Sequence, residues 1–203
     1  AVYRLKNDSL VWSTRHDSLP TGVRRPISFG ENNIIFPDDA GPLFSDTWGS
    51  EWTMRTQGIL LLPIWRFAIQ GTSIIAVSFD GSIYRGQVGG SSWDIIPDRP
   101  LASGDFPLRD IVDVAPSTYL INSNRGMFRS ENDGNSWGIV AGTENDVYQL
   151  NLCKRRNGNI AVTTRNAVKL STDLGLTWAP IVTVDDTIRL SGIAETADGT
   201  LYV

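Results

Sequence analysis

Short apolar runs separated by polar turns recur along the whole chain, and no stretch keeps a sustained helical period. Ile34-Ile35-Phe36, Ile74-Ile75-Ala76-Val77, Tyr119-Leu120-Ile121 and Ile160-Ala161-Val162 are rich in β-branched and aromatic residues, which predicts buried strands. A second kind of run precedes them, as in Asp110 to Val114 and Val147 to Leu152. A third follows them and ends in Tyr84-Arg85 or Phe128-Arg129. Asp80-Gly81, Asn157-Gly158 and Asp198-Gly199 mark the turns between strands.

The runs repeat. Five of the seven tryptophans fall at Trp12, Trp52, Trp93, Trp137 and Trp178, at intervals of 40, 41, 44 and 41 residues. Four strands in about 40 residues is one blade of a propeller, an all-β fold that stacks sheets radially to protect their edges. The chain's two ends are complementary in phase. Residues 187–203 supply the first two strands of a blade, and residues 2–15 supply the last two. This predicts a single domain over 1–203, a five-bladed propeller closed by pairing strands 2–15 with 187–203. The alternative is a fragment of a larger propeller in a longer protein.

Each tryptophan closes an octad. The two clearest copies run from Ser130 through Asn132 and Gly134 to Trp137, and from Ser171 through Asp173 and Gly175 to Trp178. Glycine supplies positive φ for a tight turn, and Asp or Asn folds onto nearby backbone N–H groups. These octads resemble the Asp-box, or bacterial neuraminidase repeat, S-x-D-x-G-x-[ST]-W. The copy at Ser171 matches throughout, and the copy at Ser130 carries Asn132 for aspartate. In the other three copies Asn7, Thr47 and Val88 take the aspartate place, while Leu5 and Ser9 replace the serine and glycine of the first. The resemblance implies that these octads are structural turns at the periphery, away from any active site.

Composition narrows the chemistry. Lys and Arg number 18 against 22 Asp and Glu among 203 residues, for a net charge of -4, which argues against general nucleic-acid binding. No apolar run approaches a membrane span, and the N-terminus lacks a signal-peptide layout. Cys153 and His16 are the single residues of their types, so an internal disulfide and a Cys/His zinc site are excluded. Cys153 is expected to be a buried structural thiol. No metal, cofactor or catalytic residue is assigned.

Aligning the first strand of each period brings Arg25, Arg66, Arg109, Tyr148 and Arg189 into register at one mouth of the channel. Arginine's planar fork suits carboxylate, sulfate or phosphate, and Tyr148 and Trp65 offer faces for a sugar. In the competing reading these arginines form salt bridges with Asp110, Asp146 or Asp186, and Trp65 belongs to the core. Trp48 and Trp65 lie outside the tryptophan repeat. The resulting expectation is a non-catalytic, secreted or cell-surface propeller, binding a glycan, an anionic group or a protein partner at that mouth. The alternative that the resemblance brings in is a sialidase-like glycosidase, or part of one. For it Asp110, Asp113 and Glu195 are the carboxylates nearest the inner strands.

Overall fold

The computed structural model describes residues 2–5, 12–16, 26–60, 63–100, 108–144, 151–185, 187, 188, 190 and 192–203, and contains strands and turns with no helix among them. An N-terminal hairpin pairs β1 (Val2–Leu5) with β2 (Trp12–His16). Four complete antiparallel blades follow. Blade 1 is β3 (Ile27–Phe29), β4 (Asn33–Asp38), β5 (Gly41–Ser45) and β6 (Thr53–Met54). Blade 2 is β7 (Ile64–Gln70), β8 (Ser73–Ser78), β9 (Ile83–Gln87) and β10 (Trp93–Ile96). Blade 3 is β11 (Leu108–Ala115), β12 (Thr118–Ser123), β13 (Gly126–Ser130) and β14 (Gly138–Ile139). Blade 4 is β15 (Asn151–Lys154), β16 (Ile160–Thr163), β17 (Ala167–Ser171) and β18 (Ala179–Thr183). A last hairpin pairs β19 (Ala194–Glu195) with β20 (Leu201–Tyr202).

The two hairpins have the register of half-blades. Arg4↔Ser13 in the first matches Phe44↔Thr53, Arg85↔Asp94, Arg129↔Gly138 and Leu170↔Ala179 in the blades, so β1 and β2 are third and fourth strands. Glu195↔Leu201 matches Lys154↔Ile160 and Asp113↔Tyr119, so β19 and β20 are first and second strands. Among the described residues, the strand pairs do not include the expected ladder between strands 2–15 and 187–203. Each hairpin is a sheet of its own.

Continuous apolar runs form the second strands because both faces of a blade are buried, and alternation sends successive residues to opposite neighbours. Tyr119 and Ile121 pack towards blade 2 with Val77 and Ile83, whereas Leu120 packs towards blade 4 with Leu152, Ile160 and Val162. Ile74 and Ala76 meet Ile35 and Phe44 of blade 1 on the other side of blade 2. Each such fully buried side chain contributes roughly 1.5–3 kcal/mol, so adjacent blades cannot separate cheaply. First strands lie nearest the axis, where β7 meets β11 and β11 meets β15 across blade boundaries. Cys153, on β15, is half-buried rather than fully buried, and it packs against the cluster of Ala161, Val168, Leu190 and Ile193.

Candidate functional site

Strand alternation divides the molecule into two faces. The octads connect third to fourth strands and share one face with the turns between first and second strands. Backbone bonds tie them together there: Trp48 N–H donates to Asn32 O (3.1 Å) and Asp133 N–H to Ser117 O (2.9 Å). The starts of the first strands and the turns between second and third strands lie on the opposite face. There Phe79 N–H donates to Pro63 O at 2.9 Å.

On the octad face, the Oγ atoms of Ser45, Ser130 and Ser171 accept from the N–H groups of Gly49, Gly134 and Gly175 at 2.7, 2.9 and 2.8 Å. These glycines are left-handed, with φ of 79°, 79° and 85°. The Asp and Asn copies solve one problem with opposite polarity. Asp173 accepts from Thr177 N–H (2.9 Å) and from the Thr177 hydroxyl (2.5 Å). Asn132 accepts from Ser136 N–H (2.9 Å) but donates its amide to the Ser136 hydroxyl (2.8 Å). The Thr177 hydroxyl and N–H bonds hold the Asp173 carboxyl down at about 2. Trp52 and Trp178 donate their indole N–H to Gly49 O (3.1 Å) and Gly175 O (3.2 Å). Trp137 is half-buried against the core between blades 2 and 3, and among the described residues its indole N–H finds no acceptor.

Two features depart from expectation. Trp48 does belong to a repeat position: it precedes the octad glycine with φ 55°, where Asp133 and Leu174 have φ 59°. The blade 2 octad starts with Gly86 because the Trp93 ring lies across that position. A Cβ on Gly86 would come within 2.8 Å of the ring. Trp93 is 4% exposed and donates instead to Arg55 O at 2.9 Å.

The octads also join blades, a role carried by residues that sequence reasoning did not assign. Arg85 of β9 donates to Asp133 O and, at 3.1 Å, to Asn135 Oδ1 in the next octad. Arg129 of β13 donates to Leu174 O at 3.2 Å, and Arg55 reaches Gly90 O at 3.0 Å while covering the Phe44 ring. The recurring Tyr84-Arg85 and Phe128-Arg129 pairs were the available signal.

On the mouth face, the structural register differs by one residue from the sequence alignment of arginines. Ile64↔Ser78 and Leu108↔Ser123 are equivalent pairs, and each is followed by a bulge. The bulged residues are Trp65 and Arg109, and the next pairs are Arg66↔Val77 and Asp110↔Asn122. Arg66 is therefore equivalent to Asp110, not to Arg109, and the two form an ion pair at 3.6 Å. The spacing of 44 residues between them equals that of Trp93 and Trp137. Arg25, Tyr148 and Arg189 lie outside the described residues.

The carboxylates of the inner strands are engaged. Asp110, 8% exposed at its side chain, accepts from Ile111 N–H and Leu152 N–H, both at 3.0 Å, besides facing Arg66. Asp113 pairs with Lys154 at 2.7 Å across blades 3 and 4. Glu195 pairs with Arg155 at 3.0 Å, and the Arg156 N–H and the Arg155 guanidinium lower its pKa. Among the described residues no carboxylate pairs with Arg109, which is half-buried, and no cluster of His, Cys, Asp and Glu is suited to a metal ion. Trp65, the bulged residue of blade 2 that is equivalent to Arg109, belongs to an aromatic pair. The Trp65 and Phe79 rings are 5.4 Å apart, Phe79 is 49% exposed, and the Arg66 guanidinium lies 5.8 Å from the Trp65 ring.

Along the inner strands, β3, β7 and β11 line an open cavity of about 310 Å³. Its walls are Ile27, Ser28 and Phe29, then Phe67, Ala68 and Ile69, then Ile111, Val112 and Asp113.

No protein-family model matches the sequence, and comparison with curated proteins finds no match. Solved structures do match. YCF48 bound to D1 peptide is 17% identical, with a TM-score of 0.64 over 84% of this chain and 57% of that one. The extracellular domain of a hybrid two-component system of B. thetaiotaomicron is 12% identical, with a TM-score of 0.69 over 97% of this chain and 29% of that one. The GH74 xyloglucanase from Xanthomonas campestris is 16% identical, with a TM-score of 0.62 over 85% of this chain and 32% of that one. The chain thus spans little more than half of the first of these proteins and about a third of the others. At such identities the likeness concerns the fold, and it agrees with the sheets: the chain is an all-β propeller of four-stranded antiparallel blades.

Proposed function

We propose that this Asp-box propeller is a non-catalytic binding module of a secreted or cell-surface protein, taking an anionic ligand at the channel mouth. The observation that carries the reading is Arg109. Arg66 and Lys154, the other described cations of the inner strands, are matched by Asp110 and Asp113, whereas Arg109, at the start of its inner strand, has no carboxylate partner among the described residues. A cation held in a bulge, in the position that Trp65 takes in the preceding blade, would offer a charge-assisted bond and an aromatic face on one side of the propeller. The engagement of Asp110, Asp113 and Glu195 with cations weighs against a glycosidase, which needs two carboxylates disposed about a sugar. An extracellular setting and a macromolecular partner draw support from the neighbours, which include an extracellular domain and a protein bound to a peptide.

The test is direct binding of acidic and neutral glycans and acidic peptides to the wild type and to Arg109→Gln, with a fluorogenic glycoside screen in parallel. Arg109→Gln should weaken anionic ligands about 10- to 100-fold, the equivalent of one charge-assisted hydrogen bond. Turnover of any glycoside, or anion binding indifferent to Arg109, defeats the proposal.

A further inference from the structure

Arg109 and the channel cavity are built on the same strand, and from this we infer that the ligand is an amphipathic carboxylate, with its acid head on Arg109 and its apolar body inside the channel. The inference rests on the mouth being the binding site. Ile111 and Val112 line the cavity two and three residues along β11 from Arg109. At about 3.3 Å per residue, the head and the cavity wall are separated by roughly 7–10 Å, the length of a short alkyl chain. Ile27, Phe29, Ile69 and Val112 are only partly buried and line this cavity. Covering their apolar surface yields about 25 cal/mol per Å². Sugar hydroxyls against these walls would lose hydrogen bonds to water without replacement.

Polarity fixes the orientation. Asp113 bounds the far end of the cavity and is matched by Lys154, so a second carboxylate there would meet a like charge. At the near end Arg109 receives it. A volume of about 310 Å³ lies at the lower end for small-molecule sites and suits a medium-chain or aromatic acid, or one apolar side chain beside a carboxylate.

The experiment uses octanoate, octanol and octylamine below their aggregation limits, with titration calorimetry on the whole chain. Octanoate should bind saturably at one site, octanol at least tenfold more weakly, and octylamine more weakly still. Arg109→Gln should erase the preference for acid over alcohol, while Val112→Phe and, independently, Ala68→Leu should lower the affinity for all three at least tenfold. If octanoate is weakened by Arg109→Gln but ignores both cavity variants, the channel is wrong and the mouth reading stands. If octanoate binding is unaffected by Arg109→Gln, the mouth reading itself falls. No octanoate binding, or octylamine binding as well as octanoate, overturns the inference without any variant, so a misfolded cavity mutant does not shield it.

Discussion

Gly175→Ala tests whether the octads wedge neighbouring blades together. Gly175 has φ +85°, and a Cβ there would lie 2.3 Å from Leu120 Cδ1, 2.9 Å from Cδ2 and 3.0 Å from Cγ. Leu120 is fully buried on blade 3 in the core shared with blade 4, so moving its side chain would disturb packed neighbours. Left-handed backbone costs alanine about 1 kcal/mol, and overpacking against a buried leucine adds about 1–3 kcal/mol. The expected loss is therefore about 2–4 kcal/mol. Gly142 is the control: its φ is +79°, but nothing lies within 4 Å of a Cβ built there. Gly142→Ala should cost about 1 kcal/mol. Equilibrium urea unfolding followed by tryptophan fluorescence reads both. Leu120→Ala costs about 2–5 kcal/mol by itself, yet it should relieve the overpacking, making the double variant with Gly175→Ala less destabilised than the sum by about 1–2 kcal/mol. Equal losses at Gly175 and Gly142, with additive behaviour at Leu120, would refute the close approach between octad and neighbouring blade.

Further outcomes separate the roles of individual residues. Arg66→Ala should destabilise the fold by on the order of 2–3 kcal/mol, because it strips Asp110, 8% exposed at its side chain, of its cation; Arg109→Gln should leave the melting temperature nearly unchanged and act on ligand affinity, as thermal melts and titrations together would show. Trp93→Ala should cost roughly 3–5 kcal/mol in chemical denaturation and more than Trp178→Ala, since the Trp93 ring is almost wholly buried against Phe44 and Phe67 whereas Trp178 is half-buried. The Asp173 carboxyl is held at about 2, below its ordinary value of 3.8, so its contribution is fully present above about pH 4 and is lost as the pH falls towards 2. Asp173→Asn should flatten acid unfolding over that window, and Asn132→Asp should steepen it; the reverse pattern in pH-dependent denaturation would contradict the hydrogen-bond assignment. Arg85→Ala should cost about 1–2 kcal/mol through the carbonyl of Asp133 and the Asn135 side chain, and a neutral result in urea unfolding would mean that the bond contributes nothing across the blade boundary.

The paired charges explain why residues of the inner strands differ in what they offer a ligand. Arg66–Asp110, Lys154–Asp113 and Arg155–Glu195 all connect one blade to the next, so their charges serve the ring. Buried opposite charges left without partners would cost several kcal/mol each, which is the physical pressure to match them. A bulge removes its residue from the ladder and turns it out of that series. Trp65 and Arg109 occupy such positions, so the packing of the blades does not dictate their chemistry.

The amino-acid sequence by itself determined the blade. The tryptophan period, the alternating burial of runs such as Tyr119-Leu120-Ile121, and the glycines Gly49, Gly134 and Gly175 of the octads are local demands: a strand buried on both faces must be apolar throughout, and a left-handed turn favours glycine. The chemistry of the octad was equally legible, since its serine, its Asp or Asn and its glycine bond within eight residues. Only the tertiary structure decided which inner-strand residues face each other. One bulged residue shifts the register, so that Arg66 meets Asp110 instead of standing beside Arg109, and counting from the tryptophans could not show where in the period the extra residue lay. The same holds for Arg85 and Arg129, whose acceptors are carbonyls about 45 residues away and carry no side-chain signature. The cavity belongs wholly to this second kind: Ile27, Phe67, Ala68 and Val112 read as ordinary core along the chain, and only the radial packing of three inner strands leaves a space between them.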